Sequence, residues 1–330
     1  PALGMFLKRG EQQYEWHHGH PLDLRNGWWT PPLGPAEALR VESAQITQYG
    51  MKPIVSLTDH DDVEAPISLV AVDPVRDIPV STEWTVPFGK GFFHLGVHNL
   101  PARDARRIMS ALGAYTANPV ESTLIGILSW LNGLSGSLVV FNHPMWDEKG
   151  LGDDVHRSNA MRFLRVYGKY LHALEINGLR PWQENRLTVQ LAAHFGMPVV
   201  AGGDRHALEP NVVLNLSNAA SFAEFSQEVR EGRSDVLVTN QYRQSHNGRI
   251  LRNIVETLQP YNDHGFGWHE WTDRAFYRFP DGEVLSFRQI WGERQPGIIR
   301  AFGMAMRMAA HGPLRDAVRR MSSRSLQMVD

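Results

Sequence analysis

HALEINGLRPWQENRLTVQLAAHFGMPVVAGGDRH, residues 172–206, decides the reading of the fold. A β-rich run, Ala173–Ile176, is followed by a helical stretch, Pro181–Phe195, and a second β-rich run, Pro198–Ala201. Gly196 stands where a helix-terminating glycine is expected. Strand, helix and strand in this order favour a parallel sheet. Each run ends in polar residues able to hold a metal: Glu175 with Asn177 after the first, Asp204 with His206 after the second.

The same alternation runs through most of the chain. Further candidate strands are Ile54–Leu57, Ile78–Ser81, Phe92–Val97, Ser137–Phe141 and Val236–Thr239, and further candidate helices are Pro35–Tyr49, Ala102–Thr116, Ser122–Leu131, Arg157–Leu171 and Ser221–Glu231. Gly50 is a second helix-terminating glycine. His60 closes PIVSLTDH (53–60), Glu83 closes IPVSTE (78–83), His143 lies in LVVFNHP (138–144) and His94 lies inside GFFHLGV (91–97). In a parallel α/β barrel the C-terminal strand ends surround one mouth, so residues distant in sequence would converge there.

Two groups, His18-Gly19-His20 and Asp204-Arg205-His206, have a spacing of two. In extended backbone residues i and i+2 project from one face, so each pair can reach one ion or two adjacent ones. Imidazoles with carboxylates suit zinc, manganese or iron, and their number points to more than one ion. Singly, each residue has a plain structural explanation. Thr-Asp after a strand is a helix-capping sequence, His143 before Pro144 suits a turn, and His172 and His194, on predicted helices, read as packed or solvated. Jointly that explanation fails, because five successive strand ends finish in residues able to hold a metal.

The 330 residues are 42% hydrophobic, enough for one large α/β domain or two ordinary ones. A formal charge of −2 points to a small-molecule partner and away from nucleic acid or an anionic membrane. Only Lys8, Lys52, Lys90, Lys149 and Lys169 are lysines among 33 basic residues, a bias that genome composition also produces. The absence of cysteine excludes disulfides, thiolate metal sites and a cysteine nucleophile, so any metal sits on nitrogen and oxygen. No signal peptide is visible, and a cytoplasmic location is expected. Ser122–Trp146 carries no charged residue over a length that could cross a bilayer, but its Asn132, His143, Pro144 and glycines fit a buried helix, a turn and a buried strand better.

After about Thr239 the character changes, which divides the chain into a barrel domain, 1–240, and an extension, 241–330. Arg274–Trp291 reads as a hairpin turning at Pro280, Asp281 and Gly282. Beyond Pro296 comes a basic helical tail rich in methionine, suited to packing on its own domain or on a second subunit of a homo-oligomer. Trp28, Trp29, Trp146 and Trp182 are candidates for pocket walls and equally for core.

Five stretches in order, SLTDHD (56–61), PVSTEW (79–84), FHLGV (93–97), FNHP (141–144) and AGGDRH (201–206), resemble the polymerase and histidinol phosphatase (PHP) family of metal-dependent phosphoesterases. ALEINGL (173–179) is similar to the stretch that precedes the last motif there. The resemblance spans roughly Tyr14 to Thr239. It implies a distorted seven-stranded, TIM-like β/α barrel with two or three divalent ions at the strand C-termini. Carried over by motif, His60, Glu83, His94, His143, Asp204 and His206 would be ligands, with Asp59 beside them as a supporting or proton-handling group. The first motif departs from the pattern: in WHHGHPLDLRNGWW (16–29) His18 and His20 best fit the usual histidine pair, while Arg25-Asn26-Gly27 replaces Ser-Asp-Gly. Asn26 is a poorer ligand than aspartate, and Asp23 is a possible substitute.

The expected reaction is hydrolysis of a small phosphate ester by metal-activated water, with Asp59 relaying the proton and Arg205 clamping phosphate. Arg205 also fits a surface ion pair, since a residue between i and i+2 ligands faces the other way in a regular strand. Two rivals remain: a degenerate PHP module serving as a metal-binding or interaction platform, and a metal-dependent amidohydrolase, which would want a carbamylated lysine at a strand end.

Overall fold

A computed structural model describes residues 27–262 and 264–292, with 11, 12, 14–16, 19, 22, 297, 300, 301 and 304. It divides into two compact units: the larger takes Pro35–Arg205 and Pro210–Arg243, and the smaller takes the described residues of Pro1–Gly34, His206–Glu209 and Gln244–Asp330. Most of the methionine-rich tail, with His18, His20, Asp23 and Asn26, lies outside the described residues.

In the larger unit the elements run α1 (Pro35–Gln48), α2 (Glu64–Val72), β1 (Val80–Phe88), β2 (Gly91–Leu100), α3 (Ala105–Ala117), α4 (Glu121–Asn132), β3 (Leu138–Asn142), α5 (Asp153–Tyr167), β4 (Ala173–Asn177), α6 (Trp182–Phe195), β5 (Val199–Gly202), β6 (Val213–Leu216), α7 (Phe222–Arg230) and β7 (Asp235–Val238). Strands β1 to β5 form an open sheet in sequence order. β1, β2 and β3 pair antiparallel, while β3, β4 and β5 pair parallel. β6 and β7 form a separate antiparallel ribbon.

The seven-stranded barrel implied by the resemblance is therefore not formed. Only the segment from β3 to β5 keeps the expected strand–helix–strand pattern. β1 and β2 are joined by Gly89-Lys90 alone, and so short a link allows only an antiparallel hairpin, since a parallel crossover needs a dozen or more residues. Gly89, at φ 60°, supplies the left-handed turn position. The segment expected as a first strand, Ile54–Leu57, makes no ladder. Its side chain Ser56 bonds Ser81 of β1, and just beyond it the main chain forms an isolated parallel bridge of His60 with Glu83. The apolar run 212–216 pairs antiparallel with 235–238 instead of extending the five-stranded sheet.

Residues opposite each other in a ladder share a face. Trp84, Val86, Phe93, Leu95, Val97, Phe141 and Leu174 face one way and pack on Ile108, Leu112, Leu128, Phe163 and Leu191 of the helices. Trp84 is fully buried and satisfies its indole N–H by donating to the Leu112 carbonyl at 3.1 Å and Thr116 Oγ1 at 3.0 Å. On the other face Leu138, Val140, Ala173 and Val200 pack beneath Phe222 and Val229 of α7. Toward one end that face becomes polar: Glu83 lies opposite Gly96, His94 opposite Asn142, and Asn177 opposite Gly202. Ser122–Trp146 resolves into α4, a turn and β3, and no helix among the described residues is long and apolar enough to cross a membrane.

His172, expected on a helix, instead leads into β4. The Val139 N–H donates to its Nδ1 at 2.8 Å, leaving Nε2–H to donate to Asn132 Oδ1. Burial, reinforced by the Arg230 charge, pushes His172 down to about 3. The unfolded chain takes up this proton near pH ~6.5 and the folded one does not, so stability is lost as pH falls from about 6.5 toward 3. His172→Gln is expected to flatten part of that acid limb, read as urea midpoints measured between about pH 7 and 4.

In the smaller unit Gly27–Trp29 pairs with Ala275–Arg278, which forms a hairpin with Val284–Ser286. Tyr14, Leu22, Tyr277, Phe287 and Ile290 make its core. Arg274, 1% exposed, donates to the carbonyls of Thr257, Gln259, Trp268 and His269, which ties the end of helix His246–Leu258 to this sheet.

Candidate metal centre

The polar end of the sheet gathers four of the residues singled out from sequence. Glu83, on β1, is 7% exposed, and three imidazoles turn toward it. His143 Nε2 lies 3.0 Å from Glu83 Oε1, His94 Nδ1 lies 3.7 Å from the same oxygen, and His60 Nε2 lies 3.7 Å from Oε2. One ligand atom from each of His60, Glu83 and His94 falls within a common 4.8 Å, a spacing that can surround a cation. His60 brings the exposed side of the site, with 45% of its side chain accessible; His94 and His143 are each 6% exposed.

The backbone explains how the four meet. Residues 59–61 run alongside β1, with Glu83 N–H donating to the Asp59 carbonyl and Asp61 N–H donating to the Glu83 carbonyl, both at 2.9 Å. That ladder fragment delivers His60 beside Glu83. His94 reaches the same face from β2, and His143 is the first residue past β3. His143, Asp204 and Asp61 adopt left-handed backbone at φ 28°, 47° and 52°. Such conformations cost a non-glycine residue about 1–3 kcal/mol, and they cluster where a side chain must be aimed for function.

Asp204, past β5, has a carboxylate oxygen within 4.8 Å of a His60 ring nitrogen. His206 belongs to the smaller unit, with its ring 5.6 Å from that of Trp29. Burial pushes Glu42 of α1 up to about 7, against the Asn211 N–H bond and the charge of Arg205. The backbone carbonyl of Asp59 also accepts from Thr82 Oγ1 at 3.2 Å.

Electrostatics at the site run in opposite directions for the two sides of the pair. Burial alone would raise Glu83, but the His143 hydrogen bond and the charges of His143, His60 and His94 hold it well below the usual carboxylate range. Burial would lower His143, but the Glu83 bond and charge, with Glu175 and Asp204 behind them, lift it to about 9. Burial raises Glu148, against the pull of His60 and His143. Glu83, Asp204, Glu148 and Glu175 together surround the imidazoles with acid, which favours a cation. Phe92, Trp146 and Glu148 line the cleft beside His94 and His143, and Arg180 lies 4.2 Å over the Trp146 ring.

Three further residues support the site. Asn142 donates to Glu83 Oε1 at 2.9 Å and accepts from Gly96 N–H at 3.2 Å. Gly96 is required there, because a Cβ would lie 2.6 Å from His98 Nε2 and 2.8 Å from Asn142 Oδ1. Glu175, 5% exposed, accepts from the His143 N–H at 3.1 Å, and burial lifts it to about 8. Asn142 and Glu175 sit next to motif histidines or at strand ends in the sequence, which is the signal that could have placed them in the site.

No protein-family model and no curated protein matches the chain. Among solved structures it is similar to an amidohydrolase from Chromobacterium violaceum, solved with bound sulfate and no metal, with a TM-score of 0.38 and 16% identity over 54% of this chain and 84% of that one. It is also similar to a candidate metal-dependent phosphoesterase from Bifidobacterium adolescentis, with a TM-score of 0.34 and 14% identity over 56% of this chain and 86% of that one.

Proposed function

We propose that the chain is a metal-dependent hydrolase that cleaves a small phosphate ester, with His60, Glu83, His94, His143 and Asp204 as its metal ligands. The observation that carries this reading is the convergence of three imidazoles on one buried carboxylate, Glu83. The donor set is nitrogen and oxygen throughout, which suits zinc, manganese or iron. Divalent ions there would supply a water deprotonated near neutral pH and neutralise charge on the phosphoryl oxygens.

The chain's own residues do the rest. Asn142 holds Glu83 in place, and Trp146 with Phe92 keeps one wall of the cleft apolar. Asp59 is the proposed proton relay, and Arg205 the proposed phosphate contact. The ordered PHP-like motifs favour phosphorus over carbon as the centre attacked. Of the lysines, Lys52 donates to the Ala220 carbonyl, Lys90 occupies the hairpin turn and Lys169 lies over Tyr170, while Lys149 lies over Phe92 at the wall of the cleft and Lys8 is outside the described residues. A carbamylated-lysine amidohydrolase would need one of them among the ligands.

Turnover of a panel of phosphomonoesters is expected in protein supplied with zinc or manganese and is expected to vanish after chelation. Thermal unfolding should move upward on metal addition, since a ligand at about 100 times its Kd stabilises by roughly 2.7 kcal/mol. Hydrolysis that survives complete chelation, or metal binding with no turnover of any ester, would count against this function.

A further inference from the structure

Behind the imidazoles lies a second buried acid, Glu175 of β4. Its Oε2 accepts from the backbone N–H of His143 and its Oε1 accepts from Asn177 Nδ2, both at 3.1 Å. Asn177 is itself fixed and fully buried: its Oδ1 accepts from Leu179 N–H at 2.8 Å, and its backbone exchanges two bonds with the Asn185 amide, both at 2.9 Å. The space that Glu175 fills exists because residue 202 is glycine; a Cβ there would fall 1.6 Å from Oε1. The residue whose N–H it holds, His143, stands at φ 28° with its ring on Glu83.

We propose that Glu175, oriented by Asn177, is a positioning residue: it pins the His143 main chain in its left-handed conformation and thereby sets the affinity of the Glu83 cluster for metal. This role rests on the metal-site reading above. Without the pin, the residue before Pro144 relaxes toward extended backbone, the conformation preferred ahead of a proline, and carries the imidazole away from Glu83. Partners of this kind, which orient a ligand without touching the ion, typically alter metal affinity about 10–100-fold.

The test exploits the donor–acceptor order of the pair. Glu175→Gln sets one amide donor against the Asn177 amide. Adding Asn177→Asp restores one donor facing one acceptor. In the metal-free wild type the His143 amide proton is expected to be shifted downfield and protected from exchange. Both properties should be lost in Glu175→Gln and regained in the double variant. Zinc or manganese affinity, measured by titration calorimetry, should fall about 10–100-fold and recover in parallel.

A His143 amide that is indifferent to Glu175→Gln overturns the pin. So does an affinity loss that the double variant fails to rescue, which marks general damage. A wild type that takes up no metal overturns the metal reading and this role with it, a result distinct from an unchanged amide.

Discussion

Glu83→Ala is expected to abolish metal retention and to lower turnover of the preferred phosphomonoester by roughly 10³-fold, the several kcal/mol that metal-ion catalysis supplies. All three imidazoles address Glu83, at 3.0 Å from His143 and 3.7 Å from both His94 and His60. Removing any one histidine leaves the other two and the carboxylate. Removing Glu83 leaves three imidazoles with no shared oxygen and frees the Asn142 amide that now holds it. Glu83→Gln should fall nearly as far, because an amide presents one neutral acceptor where the carboxylate presents two charged ones. Steady-state rates alongside metal titration check both variants; a variant with near wild-type kcat/KM would remove Glu83 from the mechanism.

Gly202→Ala has the second largest expected effect, and its logic is steric. The added Cβ would stand 1.6 Å from Oε1, 2.4 Å from Cδ and 2.9 Å from Cγ of Glu175, a side chain already buried and held from both ends. Either Glu175 leaves its place or β5 moves off β4. Overpacking of this kind costs about 1–3 kcal/mol, and metal affinity should drop with it because the His143 support is displaced. The consequence is a reversal of sign: Glu175→Ala should lower the urea midpoint of the wild type but raise that of Gly202→Ala, since it clears the clash. A double-mutant cycle measures this directly, and additive effects would show that the two residues do not compete for the space.

The sequence was most informative where one physical rule applied alone. β3, α5, β4, α6 and β5 follow from apolar runs alternating with helical stretches, and α6 ends at Gly196, φ 61°, as expected. The barrel expectation failed at the hairpin. Ile78–Ser81 and Phe92–Val97 overlap β1 and β2, but the FGKG stretch at 88–91 turns the two strands into an antiparallel hairpin. Ile54–Leu57 has strand-like composition but spends its polar contacts elsewhere: Ser56 Oγ bonds His98 Nδ1 and Ser81 Oγ, each at 2.8 Å.

In the site, residue type and strand-end position single out His60, Glu83 and His143, His94 stands inside its run, and the structure brings the four together. Their convergence survives the loss of the barrel because strand pairing brings most of it about: His94 lies opposite Asn142, next to His143, and Glu83 is bridged to His60. Glu175 is legible as a strand-end acid, but its contact with the His143 main-chain N–H is one that no side-chain pattern encodes. The same holds for Gly202, whose need to be glycine arises from Glu175, far off in the chain.

The most direct test of the account is elemental analysis of the full chain purified without chelator, beside the folded Glu83→Ala variant. The account predicts zinc, manganese or iron bound to the wild type and largely missing from the variant. A folded wild type that carries no metal and takes up none on incubation, or a variant that keeps the wild-type complement, would contradict it.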